Sequence, residues 1–428
     1  MSHLFLSPFA RASLIGLLGC LPIHQVGAQS WSTVKQNVHP EVALTSEFGT
    51  PHPQALASLG WEDGVHISPD GLHLYCTYAP VDLLSFVLMG SIPTNFSTNY
   101  LRGAPTFGMD LTTNPLGASE WLHSDILAAS RNTRLDVFSS WELSDMSRPF
   151  FSEGAPTPTF STPATIELMA FTSNDNPGNS TDIWVIEETS VNPQGTGAPL
   201  PAPVNSEFNE DNPHIVRTGE AQLVLFFDSN DRPGGAGEID LWYSTSADNG
   251  TNWTTPSAVT SINSAGKEHQ PFLHRNTKTG IWHLYYAAEH ADGKLAIFRA
   301  RQQLAEDWNA WGTPELVMSA GNTAGIGEPT LTDTGDLSFV VIVEHPNPPS
   351  MFDRFDSDPW LLPSKPPVGE LTLSFASQSG ATHRVEYSTN LVAGSWMPAT
   401  NLPGDGTQMQ ITFPTTHPAA YYRIHAEF

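Results

Sequence analysis

The sequence predicts an all-β fold, a five-bladed β-propeller followed by a small C-terminal β-sandwich domain. Three observations carry this expectation. A four-strand unit recurs at near-constant spacing; 33 Gly, 36 Pro and 12 Trp supply turns and packing aromatics; and no long amphipathic helical run interrupts the pattern. The clearest unit runs from Glu210 to Trp253. It holds an opening segment, an alternating strand at Ala221–Phe227, a Gly-rich turn at Ser229–Gly237, a third strand at Asp240–Tyr243, and a loop that delivers Trp253.

Aligned on this unit, each copy opens with a glutamate: Glu62, Glu153, Glu210, Glu268 and Glu328. The last three intervals are 57, 58 and 60 residues. An apolar second strand follows each, at Leu72–Tyr78, Ile166–Thr172, Leu223–Asp228, Ile281–Ala287 and Leu337–Val343. The third strand repeats as Asp-x-Trp at Asp182–Trp184, Asp240–Trp242 and Asp358–Trp360, with Leu295–Phe298 and Asp125–Leu127 in its place elsewhere. In the first unit about 33 extra residues, roughly Val81 to Trp121, separate the second and third strands; long loops of this kind are often functional. Outer strands follow Phe138–Trp141, Trp253 and Trp308–Trp311. The fifth unit lacks one, and Trp31–Val34 resembles the segment after Trp253. The N-terminal strand is therefore expected to complete the last blade and remove its open edge.

Residues Ile67–Tyr75 (ISPDGLHLY), and Ser229–Gly235 followed by Asp240-Leu241-Trp242, resemble the TolB-like propeller repeat across most of residues 61–362. Ser246–Trp253 is similar to a sialidase-type Asp-box, in which Asp248 would be structural. Residues 363–368 form a Pro-rich linker. Residues 369–428 then resemble the β-sandwich appended to many secreted bacterial proteins, an accessory domain for sorting or surface attachment.

Arg11, the apolar run at residues 12–21 and Val26-Gly27-Ala28 read as a secretory signal over residues 1–28, too short to remain as a membrane span. Secretion or periplasmic export follows, with lipoprotein anchoring at Cys20 as the rival. The net charge of −26 disfavours nucleic acid and anionic lipid, and a solvated monomer is expected. Cys76 alone remains after cleavage, so neither a disulfide framework nor a Cys-based zinc site can form.

In a propeller the start of each first strand faces the central mouth, so five glutamates are expected to converge there, with Asp63, Asp211 and His269 beside them. Crowded carboxylates raise one another's pKa, as a general acid at neutral pH requires. An acid repeated five times is more simply architectural, which makes the residues outside the repeat the sharper candidates. Five-bladed arabinanase and xylosidase-type glycosidases resemble this arrangement. That resemblance implies Asp63 as general base, Asp211 as the residue tuning the donor, and Glu268 as proton donor. Glu62, Glu153, Glu210, Glu328, His214 and His269 would line the substrate site, with Trp61 or Phe107 stacking on a sugar. The first unit reads Trp61-Glu62-Asp63-Gly64 where that family has an Asp-Pro opening.

Glu289-His290 and Glu344-His345 lack any HExxH context, and no metal is assigned. The loops starting at Ser173 and Ser229 would suit structural calcium, and Asx-turn bonding accounts for them equally well. No cofactor is expected; the partner is a glycan or small-molecule substrate. The leading function is a secreted hydrolase of a neutral glycan. Its rival is a non-catalytic TolB-like propeller binding a protein or glycan.

Overall fold

The computed structural model describes residues 29–89, 100–107, 123–149, 151–175, 180–193, 195–230, 232–276, 279–365, 370–389, 392, 394–414 and 421–428. The expected signal segment with Cys20, much of the first-unit insert and part of the linker lie outside these residues. The chain is nearly all-β, with short helices at Trp31–Lys35 and Leu83–Met89 among the described residues. It divides into two compact units, the larger spanning residues 1–44 and 50–363 and the smaller spanning residues 45–49 and 364–428.

Among its described residues the larger unit contains four sheets; the eight-stranded one consists of two antiparallel groups joined by a parallel bridge between Ser357 and Trp61, so five antiparallel groups, called sheets below, each run in chain order from a first strand. The first comprises Trp61–Ile67, His73–Ala79, Asp125–Ser130 and Glu142–Leu143. The second comprises Glu153–Thr162, Thr165–Ser173, Asp182–Ser190 and Ala198–Pro199. The third comprises Asn209–Arg217, Leu223–Asn230, Ile239–Ser246 and Ser257–Ala258. The fourth holds Glu268–Arg275, Trp282–Glu289, Leu295–Arg301 and Glu315–Ser319, and the fifth holds Gly325–Leu331, Leu337–Glu344 and Phe355–Leu362. The five first strands neighbour one another in sequence order, and the fifth lies against the first. Second strands are nearly continuous apolar runs because both of their faces pack: Leu223, Val224, Leu225, Phe226 and Phe227 are all buried. Successive residues serve opposite neighbours, Val224 and Phe226 toward the fourth sheet and Leu225 and Phe227 toward the second.

The N-terminal segment differs from its expectation. Trp31–Lys35 is helical, capped by Ser30, and is not a strand. The strand that pairs with the fifth sheet's outer edge is His52–Pro53, against Leu361 and Trp360, while Glu41–Val42 extends the fourth sheet. The helix instead delivers Lys35, whose Nζ lies 2.5 Å from Asp356 and 2.7 Å from Asp358. Both carboxylates are buried on the fifth sheet's third strand. Asp356 also accepts a 2.7 Å bond from the Gly60 amide at the mouth of the first sheet.

The Ser246–Trp253 loop folds around Asp248, whose Oδ1 accepts from the Asn252 amide while the Gly250 amide donates to Ser246 Oγ. The smaller unit pairs Glu370–Ala376 with Gln408–Pro414. It also ranks Met397–Pro403, Thr382–Ser388 and Tyr421–Glu427 in a three-stranded sheet. There Glu386 pairs with Arg384 and Arg423, and Arg423 stacks on Trp396 at 4.2 Å.

Replacing Lys35 with Met leaves two buried carboxylates without their cation. The expected loss is about 3–5 kcal/mol in chemical denaturation at neutral pH; an unchanged midpoint would show that this ion pair does not hold the segment.

Candidate functional site

Each first strand carries the same irregularity. Register slips between Asp63 and His66, Gly154 and Thr157, Asp211 and His214, His269 and Phe272, and Gly327 and Thr330. The residue after each paired stretch has a positive φ: Gly64 at 53°, Ala155 at 47°, Asn212 at 49°, Gln270 at 59° and Glu328 at 55°. Four of these carry side chains, at roughly 1–3 kcal/mol of backbone strain each. Gly64 is required where it stands, since a Cβ there would lie 2.6 Å from Thr77 Oγ1 and 2.9 Å from the Ala155 backbone.

These bulges line one central cavity of about 30 Å³. Its upper ring is Gly64, Ala155, Asn212, Gln270 and Glu328; its lower ring is His66, Thr157, His214, Phe272 and Thr330. Between them sit Val65 and four prolines. In the lower ring His66, His214 and Phe272 pack together, the two imidazoles stacked at 6.0 Å and His214 lying 4.3 Å from Phe272. Burial pushes His214 down to about 3 and His66 well below its ordinary value, so both are neutral.

The bulges correct the alignment of the opening acids. Glu62, Glu153, Glu210 and Glu268 occupy one equivalent position, and the fifth sheet places Ile326 there. None of the four glutamates meets the cavity, because the strand directs them into the loop preceding their own sheet. Glu62 accepts from the Ser58 amide at 3.0 Å and from Trp141 Nε1 at 2.7 Å. Glu210 accepts from the Ser206 amide at 2.9 Å and pairs with Arg232 at 2.9 Å. Glu268 accepts from the Ser264 amide at 2.9 Å, and Glu153 pairs with Arg148 at 2.9 Å. They satisfy backbone donors. Glu268, expected as proton donor, feels Asp240 of the neighbouring third sheet and no carboxylate of the central group.

Glu328 is the exception. Two residues further along its strand, it occupies the bulge and joins Asp63 and Asp211, which hold the position just before the bulge in sheets one and three. A fourth acid, Asp228, arrives from the second strand of sheet three, directly opposite Asp211 in the ladder. Asp63 accepts from Trp61 Nε1 at 2.8 Å and bonds Glu328. Burial first, then Asp63, Asp228 and Asp211, raise the Glu328 carboxyl well above the usual range. Burial likewise raises Asp63, pushes Asp211 up to about 6, and pushes Asp228 up to about 7, the last two with help from neighbouring charge. The group therefore holds protonated and ionised carboxyls side by side near neutral pH.

Of the other expected residues, Trp61 is buried with its indole spent on Asp63, so it offers no stacking face; Phe107 packs edge-on against Tyr78 at 5.0 Å. His269 stands at the position of Asp63 and Asp211, pushed down to about 4 by burial, its Nε2 without a partner among the described residues. His345 meets the Gln29 carbonyl and the Trp31 ring, and His290 lies beside Asp292. Among the described residues no group of three His, Cys, Asp or Glu is arranged to hold a metal ion.

No protein-family model matches the chain, and no curated protein matches it. Solved structures do. The catalytic domain of an alpha-L-arabinofuranosidase from Coprinopsis cinerea is similar over 75% of this chain and 98% of its own, with 11% identity and a TM-score of 0.44. An endo-arabinase from Bacteroides thetaiotaomicron is similar over 72% and 95%, with 14% identity and a TM-score of 0.40. An exo-beta-1,3-galactanase from Phanerochaete chrysosporium is similar over 85% and 93%, with 10% identity and a TM-score of 0.41. These structural neighbours are glycoside hydrolases, and none of the likenesses assigns this chain a family.

The buried carboxyls set a pH dependence. Glu153 and Glu210 are pushed up to about 7 by burial, like Asp228, so the folded chain binds protons that the unfolded chain has released. Their stabilisation is complete at low pH and is lost as pH rises through 7. The neutral histidines oppose this only below their unfolded value near 6.5. From pH 6.5 to about 7.5 stability, and with it the melting temperature, should therefore fall, each such carboxyl contributing half of about 1.4 kcal/mol per pH unit at pH 7 and less above it. A flat or rising melting curve in that window would contradict the assignment.

Proposed function

We propose that the five sheets are the blades of a β-propeller, that the smaller unit is an accessory β-sandwich, and that the exported protein hydrolyses a neutral glycan across the central mouth. The observation behind this reading is the group of four interacting carboxyls drawn from sheets one, three and five, with Glu328 lining the central cavity and protonation driven apart within the group. Environments that separate titrating groups in this way are what acid–base chemistry at neutral pH needs.

The roles differ from those expected from the sequence. Glu328 takes the place of Glu268 as general acid, its proton held toward Asp63. Asp211, mostly ionised at pH 7, takes the place of Asp63 as base. In the step itself the Glu328 proton passes to the glycosidic oxygen as the bond to the anomeric carbon breaks. A water attacks that carbon and gives its proton to Asp211. One water is consumed, and the acid and base exchange protonation states before the next turnover. The sugar would sit above the bulges, since a cavity of about 30 Å³ is too small to admit one. No cofactor enters this scheme.

A second reading is a propeller that binds a glycan or protein without turning it over. The small cavity and the four glutamates spent on backbone donors favour it. Reducing-sugar release from arabinan, xylan and fucan separates the two. Glu328→Gln should lower kcat at least about 100-fold, while Glu268→Gln should cost stability and leave kcat within about threefold. Binding without release from every glycan would favour the second reading; equal loss in both variants would contradict the assignment of the acid.

A further inference from the structure

A side chain from one sheet captures the strained bulge of the next. Thr77 Oγ1, on the second strand of sheet one, accepts from the Ala155 amide at 2.8 Å. Asp228 does the same from sheet three to sheet four, its Oδ2 accepting from the Gln270 amide at 2.8 Å and from Asn212 Nδ2 at 2.8 Å. Gln270 Oε1 continues the chain by accepting from the Glu328 amide at 3.0 Å, in the space left because Gly327 has no Cβ. Thr77, Thr172, Asp228, Ala287 and Val340 occupy the same register position in their five sheets, opposite Asp63, Gly154, Asp211, His269 and Gly327.

The comparison within the chain is informative. Sheet one latches its neighbour with a neutral hydroxyl, so the latch itself needs no charge. Sheet three uses a carboxyl, buried to 5% exposure and set directly opposite Asp211. Like charges at opposed ladder positions are destabilising, and a buried carboxyl adds a desolvation cost. The architecture accepts a cost at this one position that threonine would avoid.

We propose that Asp228 is a positioning residue of the central site, which orients Asn212 and Gln270, fixes through Gln270 the backbone of Glu328, and pairs with Asp211 as one coupled acid. This rests on the reading of the mouth as an acid–base site and adds to it a residue that makes the base respond to its neighbour. Asp211 and Asp228 then carry roughly one negative charge between them near neutrality. Asp211 loses its proton more readily whenever Asp228 keeps its own.

The test uses the full chain with Asp228→Thr, Asp228→Asn, Asp211→Asn and the double asparagine variant. Asp228→Thr reproduces the latch of sheet one, so it should fold and melt at or above the wild-type temperature at pH 7.5. Melting temperature against pH should show non-additive changes for the two asparagine variants, because removing either acid relieves the other. On any glycan the wild type cleaves, Asp228→Thr should move the acid limb of kcat/KM to lower pH and reduce kcat about tenfold, with KM little changed. Additive melting profiles, or a pH–rate profile for Asp228→Thr that coincides with the wild type, would overturn the proposal. If the coupling appears and no glycan is cleaved, the hydrolase reading fails while the acid pair stands, so the two failures remain distinguishable.

Discussion

The structure depends on a repeated bend in the backbone at the start of each inner strand. There the chain adopts a left-handed conformation that only Gly64 takes without strain, and proline follows it in four of the five sheets. A strained residue persists when its surroundings over-determine it. Here a neighbour holds its amide: Thr77 holds Ala155, Asp228 holds Gln270, and Gln270 holds Glu328. The same bonds therefore join consecutive sheets and fix what the bend presents to the centre. Packing of alternate apolar residues against both flanking sheets supplies the bulk of the stability, and the bends decide the chemistry.

Two kinds of acid result from this geometry, separated by one or two residues along the strand. Those before the bend turn into their own loops and are neutralised by serine, tryptophan or arginine donors. Those at or just beside the bend interact with one another, and Glu328 lines the central cavity. A charge that is costly to bury unpaired becomes a shared proton instead. Lys35 resolves the same difficulty on the fifth sheet differently, by bringing a cation to Asp356 and Asp358.

Much of this was legible in the sequence. The repeat located the strands because both-face burial writes itself as apolar runs. Asp63 and Asp211 stood out because they break the repeat. Glu328 was legible in principle: aligned on the residue before proline, Ala155, Asn212, Gln270 and Glu328 are spaced at 57, 58 and 58 residues, more even than the spacing on the glutamates. Aligning on glutamate put it two positions out of place and favoured Glu268, whose carboxylate accepts from Ser264. Asp228 was not legible, since it ends an ordinary apolar strand and only the ladder register sets it against Asp211. Nor was the N-terminal helix, where Trp31 and Lys35 take their places from partners more than 300 residues away, such as His345 and Asp358.

The central proposal is that burial, reinforced by Asp63 and its neighbours, keeps the proton on Glu328 at neutral pH. Infrared difference spectroscopy of the carboxyl stretch, wild type minus Glu328→Gln at pH 7, measures this directly. The account predicts a protonated-carboxyl band that the substitution removes and that persists in Glu268→Asp. An ionised-carboxylate band lost from the same difference spectrum, with no protonated band, would contradict it.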